Sequence, residues 1–403
     1  VSAKAAPQEA RSNKQKGLLL ALAKFGGTAP KPARAELLMP SPDGTFRVEG
    51  FDDPESNVFH KAMLLTHHGQ QELITIGGMK AAVKSWQRAS GEIAGETLWS
   101  AAFGGKFDRM RDAEVGDVTG DSVPEIVVGT HDQGVVVYLA REGEKWVVHE
   151  LDKQKDTFVH EIELGDLNGD GVTEIYATLS APNRLDGGEQ PGMVVRYTPS
   201  KGGAREVVAD LGKRHAKEIA IADMDGDGRA ELYVAVEALT SDDGGAVKII
   251  EPVEIRRYDA GTAPDKGRVV ARIDDRYCRF LTVGDVDGDG KKEMVAAAFR
   301  SGVWLLRSGS GSSDPWEVTN IEAQSSGFEH AALLTDLDGD GKDELYVAAD
   351  DQGELRRYVW RNATPDRDTL LKRDNPKETW TWNIMPLPAG FELPVSVKAP
   401  LKQ

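Results

Sequence analysis

Five stretches of the chain repeat one arrangement of oxygen-bearing side chains. They read GDVTGDSVPE (116–125), GDLNGDGVTE (165–174), ADMDGDGRAE (222–231), GDVDGDGKKE (284–293) and TDLDGDGKDE (335–344). Counting the first Asp as position 1, oxygen side chains fall at positions 1, 3, 5 and 9, with Gly at 4 in every copy and at 6 in four of them. Calcium takes roughly six to eight hard oxygens at about 2.3–2.6 Å, and alternating carboxylates on a tightly turning backbone supply them. Gly at 4 and 6 permits that turn. The ligand type is hard oxygen throughout, with no His or Cys, so the expected chemistry is structural calcium binding rather than catalysis.

An EF-hand opens with a similar run but needs a bidentate Glu at position 12 and flanking helices. Position 12 here is Val128, Ala177, Val234, Ala296 or Val347. Each loop leads into a short apolar, partly β-branched run such as EIVVG, ELYVAV or ELYVAA, which predicts a strand. The first Asp residues, Asp117, Asp166, Asp223, Asp285 and Asp336, recur at about 50–60 residues, the period of a propeller or array.

Each unit supplies four strand candidates, the composition of a propeller blade. KAMLLTHHGQQELITIGG (61–78) fits the frame with a shorter loop in which His67-His68 replaces the acids, so no calcium is expected there. At the C-terminus, NIMPLPAGFELPVSV (383–397) aligns on NIEAQSSGFEHAALL (320–334), which makes FELPVSV the expected inner strand of a seventh blade. GLLLALA (17–23), RAELLMP (34–40) and TFRVEGF (45–51) are its other three strands. Pairing both chain ends in one blade leaves no open sheet edge. The expected fold is therefore an all-β, seven-bladed propeller over 17–403 behind a flexible segment 1–16, with six blades and 1–44 as an appendage the runner-up.

Composition narrows the partners. A formal net charge of −17 argues against nucleic acid. No apolar run reaches the roughly 20 residues of a membrane helix. Cys278 is the one cysteine, so no internal disulfide is available, and its apolar surroundings suit a buried filler. A polar start at Val1 and weak-calcium chemistry suggest a secreted, periplasmic or cell-surface monomer.

The loops resemble the FG-GAP/VCBS calcium repeats, the family that includes the integrin α-subunit head. The likeness is clear from Lys61 to Val347 and implies a β-propeller with calcium between the first and second strands of a blade. It assigns Asp166, Asn168, Asp170 and Glu174 as side-chain ligands in the second loop, with the same roles for Asp223, Asp225, Asp227 and Glu231. Asp285, Asp287, Asp289 and Glu293 follow in the fourth loop, and Asp336, Asp338, Asp340 and Glu344 in the fifth. Backbone carbonyls would come from Val172, Arg229, Lys291 and Lys342. The first loop departs from the pattern. Asp117, Thr119, Asp121, Val123 and Glu125 fill the ligand positions, with Thr in place of an acid, Ser122 in place of Gly and Pro124 at position 8. A weaker site is expected there. Members of the family include adhesion receptors, lectins and polysaccharide lyases, so fold does not choose a ligand.

Six residues before each first Asp stand Arg111, His160, Lys217, Arg279 and His330, and Lys61 fills that place in the first unit. Two residues earlier stand Phe59, Arg109, Phe158, His215, Tyr277 and Phe328. Repeat symmetry would turn one basic residue per blade into a ring at one mouth of the channel. Such a ring attracts anions, and aromatic faces stack on sugars. Internal pairing is the competing account, because Asp112, Glu161 and Glu218 directly follow three of these bases. The expected function is recognition of carbohydrate or a protein partner by Lys61, Arg111, His160, Lys217, Tyr277, Arg279 and His330. A polysaccharide lyase at the same mouth and a pure scaffold are the alternatives. Excursions at 181–192, 238–245 and 307–315 are expected as mobile rim turns.

Overall fold

A computed structural model describes residues 16–25, 31–41, 43–67, 69–104, 108–182, 189–243, 246–309 and 315–395. All but one residue of the 1–16 segment, and His68, lie outside the described residues. Seven four-stranded antiparallel sheets are arranged as blades. Their innermost strands are Phe59–His67, Met110–Gly116, Phe158–Gly165, Ala216–Ala222, Cys278–Gly284, Ala332–Thr335 and Thr379–Leu387. Each touches the next, and the last touches the first, so the ring is closed.

The second strand of each blade explains the unalternating apolar runs. Glu125–Thr130, Glu231–Val236, Glu293–Ala298 and Glu344–Ala349 are buried at every residue. Blades stack face to face, so both faces of this strand meet a neighbouring sheet. Tyr233, Met294 and Trp316 share one such inter-blade core. Outermost strands such as Lys145–Asp152 have one wet face and carry mixed residues.

The seventh blade joins the chain ends, as expected. Thr379–Leu387 pairs with Gly17–Lys24, which pairs with Ala33–Pro40, which pairs with Phe46–Asp53. Gly17–Lys24 and Ala33–Pro40 are thus part of the ring, which rules out the six-bladed alternative. The inner strand, however, is TWTWNIMPL and not FELPVSV. Trp and Thr favour a pleated strand, whereas Pro388 and Pro394 interrupt the later segment. That segment is a strap: Phe391 and Leu393 are buried between blades seven and one, and the Arg88 N–H donates to the Pro394 carbonyl at 2.7 Å. A second departure is the excursion after residue 238. Leu239–Asp243 pairs with Ala246–Glu251 as a hairpin projecting from blade four. Arg214 ties down its base through Glu251 at 2.9 Å and the Pro252 carbonyl at 2.6 Å.

Candidate functional site

The acidic loops connect the first and second strands of blades two to six. In every copy the Asp at position 1 accepts the N–H of position 4 with one oxygen (2.6–2.7 Å) and that of position 6 with the other (2.7–3.0 Å). The Asp at position 5 accepts the N–H of position 7 at 2.8–3.0 Å. The carbonyl of position 7 is left for another partner. The Glu at position 9 takes the N–H of position 2 in the first, third, fourth and fifth loops, at 2.9–3.3 Å. These bonds build the turn and aim the remaining oxygens into one cage.

Three cages bring carboxylate oxygens within 4.8 Å of one another: Asp223, Asp225, Asp227 and Glu231; Asp285, Asp287 and Asp289; Asp336, Asp338 and Glu344. These clusters could hold metal ions. In the second loop the Asn168 amide donates to Glu174 at 2.9 Å, and in the first the Thr119 hydroxyl donates to Glu125 at 3.1 Å. Burial, the largest influence, pushes Glu125, Glu231 and Glu293 up, and Glu344 up to about 7. A cation in the cage would oppose that shift.

Sequence reasoning missed the arginines that reach these cages from the third strand. Arg196 lies 3.0 Å from Glu174, Arg257 lies 2.8 Å from Asp225 and 3.2 Å from Glu231, and Arg307 lies 3.5 Å from Glu293. The runs VVRY, EIRRY and LLR carry them, with no spacing to the loop that could be read as a motif.

The second region is the mouth on the opposite face, where the inner strands start. Each inner strand of blades one to five slips register once near its start, and blade seven slips at its pairing with Gly17–Lys24. A slip re-aims the extra residue. The skipped residues include His60, Arg111, His160, Lys217, Arg279 and Trp382. Lys61 is one place further on, matching Asp112. Its Nζ lies 3.2 Å from Asp112 and also contacts Glu114, both in blade two. Burial works against its charge, but these carboxylates outweigh it and raise its pKa well above normal.

The other ring residues separate into two groups. Arg111 and Arg279 both contact Glu329, Arg111 at 3.5 Å. Arg111 stacks over Trp382 at 5.4 Å, Arg279 over Phe328 at 5.3 Å and Lys217 over Tyr277 at 5.0 Å. Burial, then Arg279, brings Lys217 down to about 8. These four share the mouth. His160 and His330 are buried behind it. His160 Nε2 bonds Ser180 at 3.0 Å, and His330 bonds Ser325 at 2.7 Å and the Ala298 carbonyl at 2.6 Å. Burial, then nearby Lys217, holds His160 well below its usual pKa, so its imidazole is neutral.

Below the mouth, buried side chains of the inner strands surround a small space. Asp112, Glu161, Glu218, Asn383 and Trp382 leave a cavity of about 20 Å³, room for one water. That cavity is too small for a sugar. At the mouth the structure adds a feature that sequence did not suggest. Phe25 lies 4.5 Å from Trp380, and Trp380 stacks on Phe328 at 4.7 Å and 25°. Phe25 is 38% and Phe328 43% exposed. These three rings form an aromatic shelf beside Arg279.

Residues 285–347 match the FG-GAP-like repeat family. No curated protein sequence matches the chain. Among solved structures, an Agrocybe aegerita lectin that recognises non-reducing terminal N-acetylglucosamine is similar over 93% of this chain and 96% of its own, at 14% identity and TM-score 0.53. A Lactobacillus plantarum protein covers 93% and 99% at 10% identity and TM-score 0.55. A Bacteroides fragilis protein provisionally assigned as a 6-phosphogluconolactonase covers 93% and 98% at 12% identity and TM-score 0.53. At these identities the likeness concerns the fold alone.

Proposed function

We propose that this seven-bladed propeller, whose residues 285–347 are an FG-GAP-like repeat, is a calcium-stabilised recognition module that binds glycan at the mouth of its channel. The observation that carries this reading is the Phe25–Trp380–Phe328 shelf beside Arg279. Exposed rings in contact with one another supply flat apolar faces for the C–H side of a sugar, and a guanidinium at their edge supplies donors for its hydroxyl or carboxylate oxygens. Recognition of non-reducing terminal N-acetylglucosamine by a lectin of similar fold supports the glycan part of this reading. Calcium occupies all five acidic loops in this reading, most weakly the first, and the protein works in a calcium-rich extracellular or periplasmic setting.

The test is a glycan array probed in calcium, followed by Trp380→Ala and Phe328→Ala. Each aromatic contact contributes about 0.5–1.5 kcal/mol beyond its area. Each variant should therefore weaken the best glycan by roughly three- to tenfold while still melting as a folded protein, a little lower where ring contacts are lost. No hit on the array, or equal affinity in both variants, would reject the mouth as a glycan site. Release of unsaturated uronate from a bound polymer would replace binding with lyase activity.

A further inference from the structure

The inner strands bring more acid than base to the channel. Lys61 is held by Asp112 and Glu114, Arg111 and Arg279 share Glu329, and Glu237 is the acid that acts most on Lys217. Outside this set Arg109 faces Asp132. Glu161, Glu163 and Glu218 remain. Among the described residues no cationic side chain lies within ion-pair distance of any of the three. The strongest positive influences on Glu218 are Arg111 and Arg279, and on Glu161 it is Lys61, all of them engaged by other carboxylates.

Glu161 and Glu218 line the cavity of about 20 Å³ below the mouth, and so do Asn383 and His60. Asn383 is 7% exposed and its Oδ1 has no hydrogen-bond partner; His60 is 3% exposed and its Nδ1 likewise has none. The Trp382 Nε1 at the same wall also lacks a partner. A water would fit the space and serve these neutral groups, but it brings no charge to Glu161 and Glu218. A buried carboxylate without a partner takes up a proton or a cation. Calcium needs about six to eight oxygens and magnesium a near-ideal octahedron, more than these walls offer. The Arg111 guanidinium at the same cavity would also repel a double charge. We infer that the channel holds one potassium-sized monovalent cation, which bridges blades three, four and seven through Glu161, Glu218 and Asn383. Potassium is close to water in size, so it can touch all sides of this cavity. Burial pushes Glu161 and Glu218 well above the usual carboxylate range, which is the demand for positive charge that the ion meets. This inference does not depend on the glycan reading.

The probe is rubidium, which stands in for potassium and scatters anomalously. Crystals of the full chain grown in saturating calcium with rubidium chloride at pH 8 should show one anomalous peak touching Glu161, Glu218 and Asn383, and potassium should displace it. Peaks confined to the acidic loops, or none in the channel, would overturn the inference and leave the cavity to water. In solution, melts in calcium at constant ionic strength should lie about 1–2 °C higher in potassium chloride than in lithium or tetramethylammonium chloride. That gap should shrink at pH 5.5, where protons compete for the same carboxylates. Glu218→Gln keeps the shape and removes a charge, so it should abolish the gap. Asp285→Asn, in an acidic loop, should leave it intact. A gap that survives in Glu218→Gln, or that Asp285→Asn removes equally, would also overturn the inference. The anomalous map of the unaltered chain gives an answer even if a variant fails to fold.

Discussion

Asp343 in blade six accepts the N–H of Asp285 in blade five at 2.8 Å, and its own N–H returns a 2.8 Å bond to the Asp285 carbonyl. Two neighbouring cages are thereby joined through the residue that opens one and the residue before the closing Glu of the other. The fit requires Gly284, because a Cβ there would lie 2.5 Å from the Asp343 carboxylate. Position 8 of the fifth loop is thus an inter-blade contact.

Asp343→Ala should therefore uncouple the fourth and fifth loops. A hydrogen bond to a charged group contributes about 1.5–3 kcal/mol, and this half-buried one should lie at the lower end. The expected loss is about 1–2 kcal/mol in urea unfolding, with weaker calcium binding at the fourth loop. Asp343→Asn keeps an acceptor and should recover most of the stability. If alanine and asparagine cost the same, the side-chain bond is not what joins the blades.

Ser122 is a second local prediction. It stands at position 6 of the first loop with φ 67°, where the other loops have Gly. An L-residue with a Cβ costs about 1–2 kcal/mol there, and Gly returns up to about 1 kcal/mol of unfolded-chain entropy. Ser122→Gly should raise stability by roughly 0.5 kcal/mol and tighten the loop for calcium. The bond from the N–H of residue 122 to Asp117 remains available. A destabilised variant would mean that the Ser122 hydroxyl makes a contact worth more than the backbone strain.

These loops and the burial of the strands after them were legible because each repeats locally, at fixed offsets from one Asp. The same offset placed Arg111, Lys217 and Arg279 at the mouth. It failed in blade one, where the pairing skips His60 and puts it where Lys61 was expected. The seventh blade was legible in its N-terminal strands, whose apolar runs are unmistakable. Its inner strand was obscured by a Gly-Phe-Glu coincidence at 390–392. The aromatic shelf joins residues from both ends of the chain and from blade six, so no local pattern could announce it. The hairpin after Leu239 was hidden by Ser, Asp and Gly, which read as turn.

Calcium should act through the cages rather than through the mouth. A site that binds only the folded state adds about 2.7 kcal/mol at a hundredfold excess of ion. Chelation with EGTA should lower the melting temperature, and calcium should restore it. Asp285→Asn should remove one ion from the titrated stoichiometry and narrow the gap between melts with calcium and with EGTA. Asp117→Asn, in the loop already lacking an acid at position 3, should narrow it less. A gap unaffected by Asp285→Asn would show that the fourth loop does not bind the ion responsible.

His330 sets a pH dependence whose sign can be worked out. Its side chain is fully buried, and burial holds its pKa down at about 4. The Ala298 carbonyl can only accept, so Nδ1 carries the proton and Nε2 accepts from Ser325. This arrangement uses the neutral ring. The unfolded chain has a His pKa near 6.5 and so binds more protons between about pH 6.5 and 4. Stability rises with pH through that window and is lost as pH falls through it. At about 1.4 kcal/mol per unit, the loss between pH 7 and 4.5 is roughly 2–3 kcal/mol. His330→Gln has no titrating ring and can keep one acceptor and one donor. Urea unfolding at the two pH values should show the unaltered chain losing that much more than the variant. Parallel losses in the two proteins would show that His330 takes no part in the acid response.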